Sequence, residues 1–483
     1  MSWTSVPPPK RPSRSVRLAR PARPARPAPP PGDGAADADA EVALTGVAHG
    51  GEAVGRIGEK VAFVAYGLPG ERVTATLTET RPRYVRGRAV TVLEAAPQRE
   101  TPLCPIFGIC GGCHWQHAAY AAQLEFKTEI LRDQLSRLGR FAGPPVLPAV
   151  ASPDPWHYRN TVQMIPSRVR GAAAPSPRRL CFQRAHSHDP VAVEHCYISD
   201  PLINRLIESE CWEAFTQGTW QRLSGIDLRV VPGVAAQITL FGGRRPSGEE
   251  IDRFLKSARA TARELQSVLF AARRGDPVRL VWGTSALTYP IGGEQLEVPA
   301  GVFVQVNLPA AELLVERVLQ TLAPEATDAV LDVYAGAGTF SLPLARRAAA
   351  VIAVESDTRA TTALSENAAR AGLTNIQVQP SLAEVALPRL EGEIDLAVVD
   401  PPRRGCADSV LDALIRLSPR RIVYVSCEPS TLARDLRRLA GSGYALDHSG
   451  VVDLFPQTYH LESVTLLTRT QRGPATAPAA PRG

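Results

Sequence analysis

Two predicted strands near the C-terminal end of the chain are followed by side chains that can carry out chemistry. One strand ends in Asp400-Pro-Pro-Arg403 and the other in Ser426-Cys427-Glu428-Pro429. Ligands bind beyond the carboxyl ends of strands in open α/β sheets, so Asp400 and Cys427 should face one crevice. Cys427 also precedes a predicted helix, whose N-terminal amides stabilise a thiolate. We therefore predict that Cys427 is a nucleophile and not simply a small buried side chain.

A further carboxylate closes the segment Asp453-Leu-Phe-Pro-Gln-Thr-Tyr-His460-Leu-Glu462. A glutamate at such a position is by default a surface residue. Close to a nucleophile, its carboxylate can instead take up a proton from a reacting group. We predict that Glu462 is a general base.

A glycine loop, Asp332-Val-Tyr-Ala-Gly336-Ala-Gly338-Thr-Phe340, follows a predicted buried strand and opens a helix. Glycines in this context let the backbone approach a nucleotide-type ligand, but the third glycine of the dinucleotide fingerprint is missing, which argues against NAD. Glu355 lies 19 positions beyond Gly336, at the end of the next strand. A carboxylate there can accept both hydroxyls of a ribose. Gly336 and Glu355 predict a site for an adenosine-containing cofactor, S-adenosylmethionine included.

Three cysteines, Cys104, Cys110 and Cys113, share one short glycine-containing loop. Converging thiolates repel one another unless a cation neutralises them, so we predict a metal site in a reducing compartment. Zinc and an iron–sulfur cluster both accept four cysteines, and the spacing does not choose between them. The candidates for the fourth ligand are Cys181, Cys196 and Cys211. His114 and His117 lie close by in sequence and could compete as zinc ligands, but we expect them to be ordinary polar neighbours.

Short β-type runs split by glycines predict a small β-barrel between residues 41 and 96. Its clearest runs are Val61–Val64, Arg72–Leu77 and Ala89–Leu93. Between the later strands lies a basic stretch that contains Arg81, Arg83, Tyr84, Arg86 and Arg88. Arginine pairs with phosphates and tyrosine stacks on bases, which predicts an RNA-binding surface. A solvated hairpin with ordinary charge explains the stretch equally well.

The elements that position these groups predict a multidomain α/β protein. Residues 1–40 and 472–483 have the composition of tails without a core, and the first is either dispensable or a nonspecific RNA-attracting arm. Residues 97–305 indicate mixed strands and helices, with a helix at Tyr120–Leu138 and a surface loop at 166–179. Residues 306–471 predict a parallel α/β domain. Its helix is Pro309–Leu322, and its strands are Ala329–Val333, Val351–Val354, Asp395–Val399 and Arg421–Val425.

Composition excludes several classes of protein. The chain has 483 residues, 44% apolar and 21% charged, without the roughly 20 consecutive apolar residues of a membrane span. Residues 1–40 carry seven basic and three acidic side chains of a chain whose net charge is +6, so charge alone does not establish nucleic-acid binding. Eight cysteines are too few and too uneven for a disulfide scaffold, and no secretion signal opens the chain. We expect a cytoplasmic protein with no membrane partner.

Together these motifs resemble the RNA uracil-C5-methyltransferase family, in its ribosomal-RNA branch with an N-terminal TRAM domain and an iron–sulfur cluster. The resemblance extends from about residue 41 to residue 470. The matching segments are Gly46-Val-Ala-His-Gly-Gly51, Leu68-Pro-Gly-Glu71, the loop of Cys104, Cys110 and Cys113, Tyr158-Arg-Asn160, Gln305-Val-Asn307, Asp400-Pro-Pro-Arg403, Ser426-Cys-Glu-Pro429 and Thr458-x-His460-x-Glu462. The family implies an OB-like TRAM barrel at 41–96, a central domain with the iron–sulfur loop at 97–305, and a Rossmann-like methyltransferase domain at 306–471.

The resemblance also implies roles for individual residues. The implied ligands of a [4Fe–4S] cluster are Cys104, Cys110, Cys113 and Cys196, which leaves Cys181 and Cys211 outside it. The positions that match the family's S-adenosylmethionine contacts are Gln305, Tyr334, Glu355 and Asp400. Cys427 matches the nucleophile and Glu462 the base. The chain departs from the family's frequent residues at Ala335, Thr339 and Glu428, none of which removes a reacting group.

The implied reaction is methylation of uracil C5 in RNA. Cys427 attacks C6, C5 takes the methyl group, and Glu462 removes the C5 proton. The target base must leave its stack to reach the thiol, which favours a single-stranded or loop target. The barrel and the cluster favour 23S ribosomal RNA, with transfer RNA as the rival substrate. A rival from another class is a non-catalytic RNA-binding iron–sulfur protein. We expect the chain to act as a monomer.

Overall fold

The computed structural model describes residues 39–167 and 179–470. The predicted N-terminal tail up to residue 38, most of the predicted loop at 168–178 and the C-terminal tail from residue 471 lie outside the described residues. The first described strand begins at Asp39, two residues before the predicted start of the barrel. In the described part of the chain, no helix combines the length and the hydropathy needed to cross a bilayer.

The N-terminal strands form a closed barrel. The strands are β1 (Asp39–Val47), β2 (Ala53–Ile57), β3 (Lys60–Ala65), β4 (Arg72–Thr80) and β5 (Tyr84–Glu94), in the order β1-β2-β3-β5-β4. Val42, Val64 and Val73 point inward and are buried, as the alternation of side chains along a strand requires. The predicted barrel is confirmed.

The basic stretch differs from its predicted position between strands. Tyr84 to Arg88 begin β5 and pair in parallel with β3. Val85 and Gly87 face the core, and the larger residues between them face outward. Gly87 is required because a Cβ there would lie 2.8 Å from the carbonyl oxygen of Thr76. The inward-facing residues of this stretch are small and the outward-facing ones are mostly arginines. The alternation of apolar and polar side chains that predicts a strand is therefore weak in the sequence.

The middle of the chain forms a mixed sheet with helices. Its elements are α1 (Tyr120–Arg137), β6 (Val146–Val150), β7 (Thr161–Ser167), β8 (Arg179–Gln183), β9 (Pro190–Ala192), α2 (Pro201–Glu208), α3 (Gln217–Arg222), β10 (Leu223–Val231), β11 (Ala235–Gly242), α4 (Gly248–Thr261), β12 (Leu265–Ala271), β13 (Arg279–Gly283), β14 (Ala286–Ile291) and β15 (Glu294–Pro299). Seven strands pair in the order β13-β12-β11-β10-β7-β8-β9, and β14 pairs with β15. Leu206 of α2 and Phe254 of α4 join the core of the larger sheet.

The C-terminal elements alternate between helices and strands. They are α5 (Leu308–Leu322), β16 (Ala329–Val333), α6 (Ser341–Ala345), β17 (Ala350–Glu355), α7 (Thr358–Arg370), β18 (Ile376–Pro380), α8 (Ala383–Ala386), β19 (Leu396–Val399), α9 (Asp408–Leu417), β20 (Arg421–Ser426), α10 (Pro429–Ala440), β21 (Tyr444–Val452) and β22 (Glu462–Arg469). The predicted helix and all four predicted strands are found within one residue at each end. Runs of buried Val, Leu and Ile made them recognisable.

The C-terminal strands form an eight-stranded sheet in the order β18-β17-β16-β19-β20-β22-β21-β6. Strands β16 to β20 are parallel, and β22 is antiparallel to both of its neighbours. The chain moves outward from β16 through β17 to β18 and then returns to β19 beside β16. Such a reversal opens a crevice at the carboxyl ends of the strands, where α/β proteins bind ligands.

The segment from α1 to β6 packs on this C-terminal sheet. Strand β6 pairs in parallel with β21 at the sheet's edge, and Ile130 and Leu135 of α1 join the sheet's core. Lys127 of α1 is fully buried, and its Nζ lies 2.6 Å from Oδ1 of Asp453. The α1 helix therefore anchors the connection between β21 and β22. This connection leads to Glu462, the predicted base, at the start of β22.

Candidate active site

Antiparallel pairing brings Cys427 and Glu462 to the same edge of the sheet. Cys427 follows β20, and Glu462 is the first residue of β22. Ser426 pairs with Ser463, and because the two strands run in opposite directions, Glu462 lies beside the end of β20. The two candidate catalytic residues are 35 positions apart in the sequence.

Glu462 is held in an environment that disfavours its charged form. It is 4% exposed, and its Oε1 has no hydrogen-bond partner within residues 39–167 and 179–470. Burial and the Asp400 carboxylate raise the pKa of Glu462 well above its usual value, and the Arg403 guanidinium opposes them. A carboxyl group in this state is a strong base once its proton has left.

Asp400 and Asp332 add two carboxyl groups to the crevice. Asp400 follows β19, and burial together with the Asp332 charge raises its pKa. Burial raises the pKa of Asp332 to about 7, although Ser341 Oγ donates a 2.5 Å hydrogen bond to Asp332 Oδ2. Asp332 Oδ1 has no partner among the described residues. Sequence reasoning did not assign Asp332, although it begins the glycine loop.

The Cys427 thiol is half-buried between charged groups of both signs. Burial is the largest cause that raises its pKa to about 11, and the Glu462 and Asp400 carboxylates contribute. Arg403 opposes this rise through its charge and a hydrogen bond to the thiol. In the free protein, burial of the thiol and the two carboxylates oppose the stabilisation that the amides of α10 offer a thiolate.

Arg403 links the nucleophile to the connection before β22. Its Nη2 lies 3.2 Å from Nδ1 of His460. Burial and Arg403 lower the pKa of His460 to about 3, so its neutral ring can accept this hydrogen bond. Sequence reasoning gave Arg403 no role, although its place in Asp400-Pro-Pro-Arg403 was a usable signal. A pocket of about 100 Å³ opens here, lined by Cys427, Arg403, His460 and also His49 of the barrel.

The glycine loop and Glu355 form a cradle beside this crevice. Gly336 N donates to Glu355 Oε2 (3.0 Å), and the amides of Ser356 and Asp357 donate to Oε1. Gly336 has a φ of +57°, and an added Cβ would meet no atom within 4 Å, so the loop faces open space. The carboxylate keeps lone pairs for further donors, as a ribose site requires. Gly336 and Glu355 are thus brought together as predicted.

Gln305 and Tyr334 occupy different surroundings. Gln305 is buried just before α5, and its carbonyl oxygen accepts a hydrogen bond from Asn160 Nδ2 (2.9 Å). Tyr334 has a φ of +70° and follows β16. Its hydroxyl contacts the Cys406 thiol, and burial with the Cys406 and Glu384 charges raises its pKa. Its left-handed backbone turns the chain from the strand into the glycine loop.

Four of the predicted ligands line a second, larger pocket. Cys104, Cys110, Cys113 and Cys196 all face a cavity of about 660 Å³. Burial is the main reason that the pKa of Cys110 is raised to about 11, and the neighbouring Cys196 and Cys104 thiols contribute. The other two candidates, Cys181 and Cys211, are fully buried and do not line this pocket.

Two loops bring these thiols together. Gly111 N donates to the carbonyl oxygen of Gln183 (3.0 Å), and Asn204 bonds both the amide and the carbonyl of Cys196. No set of three or more His, Cys, Asp or Glu side chains within the described ranges is placed to hold one metal ion.

The two candidate histidines differ in their access to this pocket. His114 lines it, whereas His117 does not. His117 is buried against Phe107, and neither of its ring nitrogens has a partner in the described part of the chain. Burial lowers the pKa of both histidines to about 4.

Most of the arginines in the basic stretch of the barrel already have partners. Arg81 pairs with Glu79 at 2.7 Å, and Arg86 pairs with Glu52. Arg88 lies over the ring of Tyr66, 4.7 Å from its centroid. Arg83 is exposed and forms no ion pair within the described residues. Tyr84 is half-buried, and its hydroxyl donates to Glu79 Oε1 (3.3 Å).

A parallel sheet, a glycine loop and Glu355 at the end of β17 are together typical of a Rossmann-like methyltransferase fold. Sequence models of two families match the chain: the tRNA (Uracil-5-)-methyltransferase family at residues 289–470 and the TRAM domain at residues 40–90. An uncharacterized RNA methyltransferase of Thermosynechococcus vestitus is 33% identical over 450 residues, which cover 89% of this chain and 98% of that protein. One from Caldanaerobacter subterraneus is 35% identical over 450 residues, with coverage of 89% and 98%.

A solved structure has a similar fold over most of the chain. The tRNA (uracil-54, C5)-methyltransferase of Pyrococcus abyssi, in complex with S-adenosyl-L-homocysteine, superposes with a TM-score of 0.67. It is 22% identical in sequence and covers 89% of this chain and 100% of that one. The chain belongs to the RNA uracil-C5-methyltransferase family. It is an S-adenosylmethionine-dependent RNA methyltransferase with an N-terminal TRAM domain.

Proposed function

We propose that the protein methylates C5 of a uracil in 23S ribosomal RNA, with Cys427 as nucleophile and Glu462 as base. The observation that supports this proposal most directly is the pairing of β20 with β22. This pairing puts a thiol next to a buried carboxyl group whose Oε1 has no partner within the described residues. Asp400 and Arg403 adjoin both groups. A thiol, a base and a cation are what a nucleophilic addition and its reversal need.

Cys427 begins the reaction because uracil C5 is a poor nucleophile. The thiolate forms an S–C6 bond, and the electron pair of the C5–C6 double bond moves toward C5 and O4. The pKa of the thiol is about 11 in the free protein, so the Arg403 guanidinium beside it is needed to stabilise the thiolate. S-adenosylmethionine supplies the methyl group that C5 receives.

Glu462 completes the reaction by accepting the C5 proton. The electrons of the C5–H bond then restore the C5–C6 double bond, and the S–C6 bond breaks to release Cys427. The raised pKa of Glu462 makes its carboxylate well suited to accept a proton from carbon. Asp400 is left to hold either the uracil edge or the methyl donor.

We propose that S-adenosylmethionine is held by Gln305, Tyr334, Gly336, Glu355 and Asp400. The open space at Gly336 and the spare lone pairs of Glu355 fit the ribose end of this cofactor. The Tyr334 hydroxyl already contacts the Cys406 thiol. We therefore propose that Tyr334 contacts the cofactor through the face of its ring.

We propose a [4Fe–4S] cluster bound by Cys104, Cys110, Cys113 and Cys196. The donor set fits: the four thiols lie on two loops and line one pocket of about 660 Å³. These four cysteines would hold the cluster, which would then link the two loops. The cysteine ligands lie next to Trp115. The Trp115 amide donates a hydrogen bond to the carbonyl oxygen of Gln457 (3.0 Å), which belongs to the connection before Glu462. The cluster loop is thus in contact with the catalytic connection.

The choice of ribosomal over transfer RNA rests on the barrel and the cysteine pocket together. The matching family and the solved Pyrococcus enzyme are both described as transfer RNA methyltransferases, which makes transfer RNA the alternative substrate. The test is tritium release from [5-³H]uracil-labelled 23S ribosomal RNA and transfer RNA in the presence of S-adenosylmethionine. Mapping 5-methyluridine in both RNAs from a deletion strain identifies the target. Release from neither RNA would refute the proposed activity.

The RNA surface that we propose includes Arg81, Arg83, Tyr84, Arg86 and Arg88. Arg83 is the member most available to a phosphate, since Arg81 and Arg86 must first leave their acidic partners. We further propose that the enzyme acts as a cytoplasmic monomer, in keeping with its free thiols. Sedimentation of the purified protein with and without RNA tests the oligomeric state.

A further inference from the structure

The first turn of the barrel touches the loop that carries the nucleophile. His49 lies between β1 and β2, and its Nε2 is 3.2 Å from Oε1 of Glu428. Glu428 directly follows Cys427 and is the N-cap of α10. His49 and Gly50 also line the pocket of about 100 Å³ that contains Cys427. The barrel therefore contributes a wall to the nucleophile's pocket.

The barrel turn is held in this place from two sides. The indole Nε1 of the buried Trp115 donates to the carbonyl oxygen of Gly51 (2.9 Å). Gly51 has a φ of +85°, and a Cβ there would lie 2.7 Å from Cβ of Tyr459. Glycine is thus required both by the backbone conformation and by the close approach. His49 cannot shift without moving this whole contact.

Glu428 is held equally firmly on its own side. Ser430 Oγ donates to Glu428 Oε1 (2.7 Å), and the Glu428 amide donates to Ser426 Oγ (3.1 Å). Thr431 Oγ1 donates to the Glu428 carbonyl oxygen (3.1 Å). Because Cys427 lies between Ser426 and Glu428, the hydrogen bonds that hold the Glu428 amide and carbonyl also restrain the backbone of the nucleophile.

The charge of Glu428 also requires compensation. RNA brings phosphates to this pocket, and an unpaired carboxylate next to the nucleophile repels them. His49 Nε2 lies within hydrogen-bond distance of Glu428 Oε1 and can satisfy that oxygen as a donor. The same contact therefore satisfies the carboxylate and fixes its place.

We propose that His49 is a positioning residue for the methyl transfer reaction. By pairing with Glu428 it fixes the loop that carries Cys427 and holds the barrel over the target base. This inference rests on the proposed uracil-C5 methylation. It makes the TRAM barrel a part of the active site as well as an RNA-binding module.

The test is a double-mutant cycle with His49→Ala, Glu428→Ala and the double variant of the full chain. The measured quantity is the first-turnover rate of covalent adduct formation at saturating RNA transcribed with 5-fluorouridine. Fluorine at C5 cannot leave as a proton, so the adduct accumulates. Each single variant should react about tenfold more slowly, and the double variant no more slowly than either one, because both lose the same contact. RNA affinity should change less than twofold to threefold.

The matched control is Glu94→Ala, which removes an exposed ion pair with Arg72 in the same barrel. It should leave the adduct rate unchanged. If an alanine variant proves unstable, His49→Gln and Glu428→Gln replace it in the test. Both keep a hydrogen bond, so their adduct rates should lie between those of wild type and the alanine variants. Additive losses in the cycle, or a loss confined to RNA affinity, would overturn the inference. Wild-type enzyme that yields no 5-methyluridine would instead refute the proposed function itself.

A second, independent observation concerns a groove between α4 and β13. This groove has a volume of about 460 Å³, and it is lined by Lys256, Arg259, Arg263 and Trp282. The guanidinium of Arg259 lies 5.3 Å from the centroid of the Trp282 ring. All three cations are exposed, and none forms an ion pair with any residue in the described ranges. This differs from the barrel, where Arg81 and Arg86 are paired.

We infer that this groove binds the RNA backbone outside the target loop. Unpaired cations that flank an aromatic ring match a phosphate chain with a stacked base. The proposal rests on RNA being the substrate. Strand β13 is an edge of its sheet, so the groove is open along its length to an extended polymer.

Reversing the three charges (Lys256→Glu, Arg259→Glu, Arg263→Glu) tests this site. The slope of log affinity against log salt for a long ribosomal RNA fragment should fall by about 2. Methylation of a short target loop should remain within about twofold of wild type. The control is reversal of three exposed arginines outside the groove, Arg132, Arg347 and Arg389, which should leave the slope unchanged. Equal changes in both triple variants, or equal losses on long and short RNA, would overturn the assignment.

Discussion

The Cys427 pocket and the four-cysteine pocket use the same side chain under different constraints. Burial raises the pKa of Cys427 and of Cys110 to about 11 in both places. The neighbours differ: Cys427 adjoins two carboxyl groups and Arg403, whereas Cys110 adjoins other thiols. A thiol that must form and break a bond in each cycle needs groups that exchange protons. Thiols that bind a metal surrender their protons once, when the metal enters.

The largest effect is expected at Cys427, the proposed nucleophile. Cys427→Ala should reduce methylation to background, because the substitution removes the sulfur that forms the S–C6 bond. S-adenosylmethionine binding, measured by calorimetry, should stay within about threefold of wild type, since Glu355 and the glycine loop are untouched. Turnover above background in the alanine variant would show that the nucleophile is another residue.

Glu462→Gln should stop the reaction after methyl transfer. Without the carboxylate the C5 proton stays in place, and turnover should fall by about 10²- to 10⁴-fold. The variant should accumulate an RNA–protein adduct that survives denaturing electrophoresis and carries label from the methyl donor. Wild type serves as the control and should show little of this species. A stable variant with the normal rate of product release would eliminate Glu462 as the base.

Substitutions in the four-cysteine pocket should change the metal content of the protein. Anaerobically purified protein should contain four irons per chain, as a [4Fe–4S] cluster does, with broad visible absorbance. Cys196→Ser should lose this absorbance. Cys181→Ser and Cys211→Ser are matched controls outside the pocket and should retain it. Stoichiometric zinc in oxygen-free preparations would replace the cluster with a zinc site.

A smaller effect is expected from Arg403, the cation beside the nucleophile. Both Cys427 and Glu462 have raised pKa values and must lose protons to act, so the first-turnover rate should rise with pH toward about 11, the pKa of the Cys427 thiol. Arg403→Ala removes the charge that lowers both pKa values. Its profile should shift to higher pH, with a loss of about tenfold near pH 7.

Arg404→Ala is the control for this pH experiment. Arg404 is exposed and pairs with Glu384, outside the Cys427 pocket. Its pH profile should match that of wild type. If Arg403→Ala leaves the profile unmoved, the guanidinium does not act on the thiolate.

Local sequence was sufficient for the elements around the site. The strands at Ala329–Val333 and Arg421–Ser426 were recognisable because each is a short apolar run that ends at a turn or a proline. The glycine loop with Glu355 followed from the same local order, since both lie in one strand–turn–helix–strand unit. These features depend on residues that are close in the chain, where spacing alone fixes the geometry.

Contacts between distant segments were beyond such reasoning. The charge partners of Arg81 and Arg86 became visible only in the folded barrel. Strand β6 and helix α1 pack on a sheet that begins far along the chain. Arg403 gained its place near Cys427 and Glu462, and Asp332 its place near Asp400, because parallel strands end at a common edge. Burial of Cys427 and two carboxylates from other strands raise the pKa of its thiol, and neither cause is visible in the local sequence.

By itself the sequence determined which residues can react: a cysteine before a helix, an acid after a strand, four arginines around a tyrosine and three cysteines on one loop. The tertiary structure decided which of them meet. It placed Glu462 opposite Cys427 through an antiparallel pairing, gathered Cys196 with the loop cysteines, and set His49 of the barrel against Glu428. The physical reason is that residue type is a local property, whereas strand register, burial and charge pairing are fixed by the packing of the whole chain.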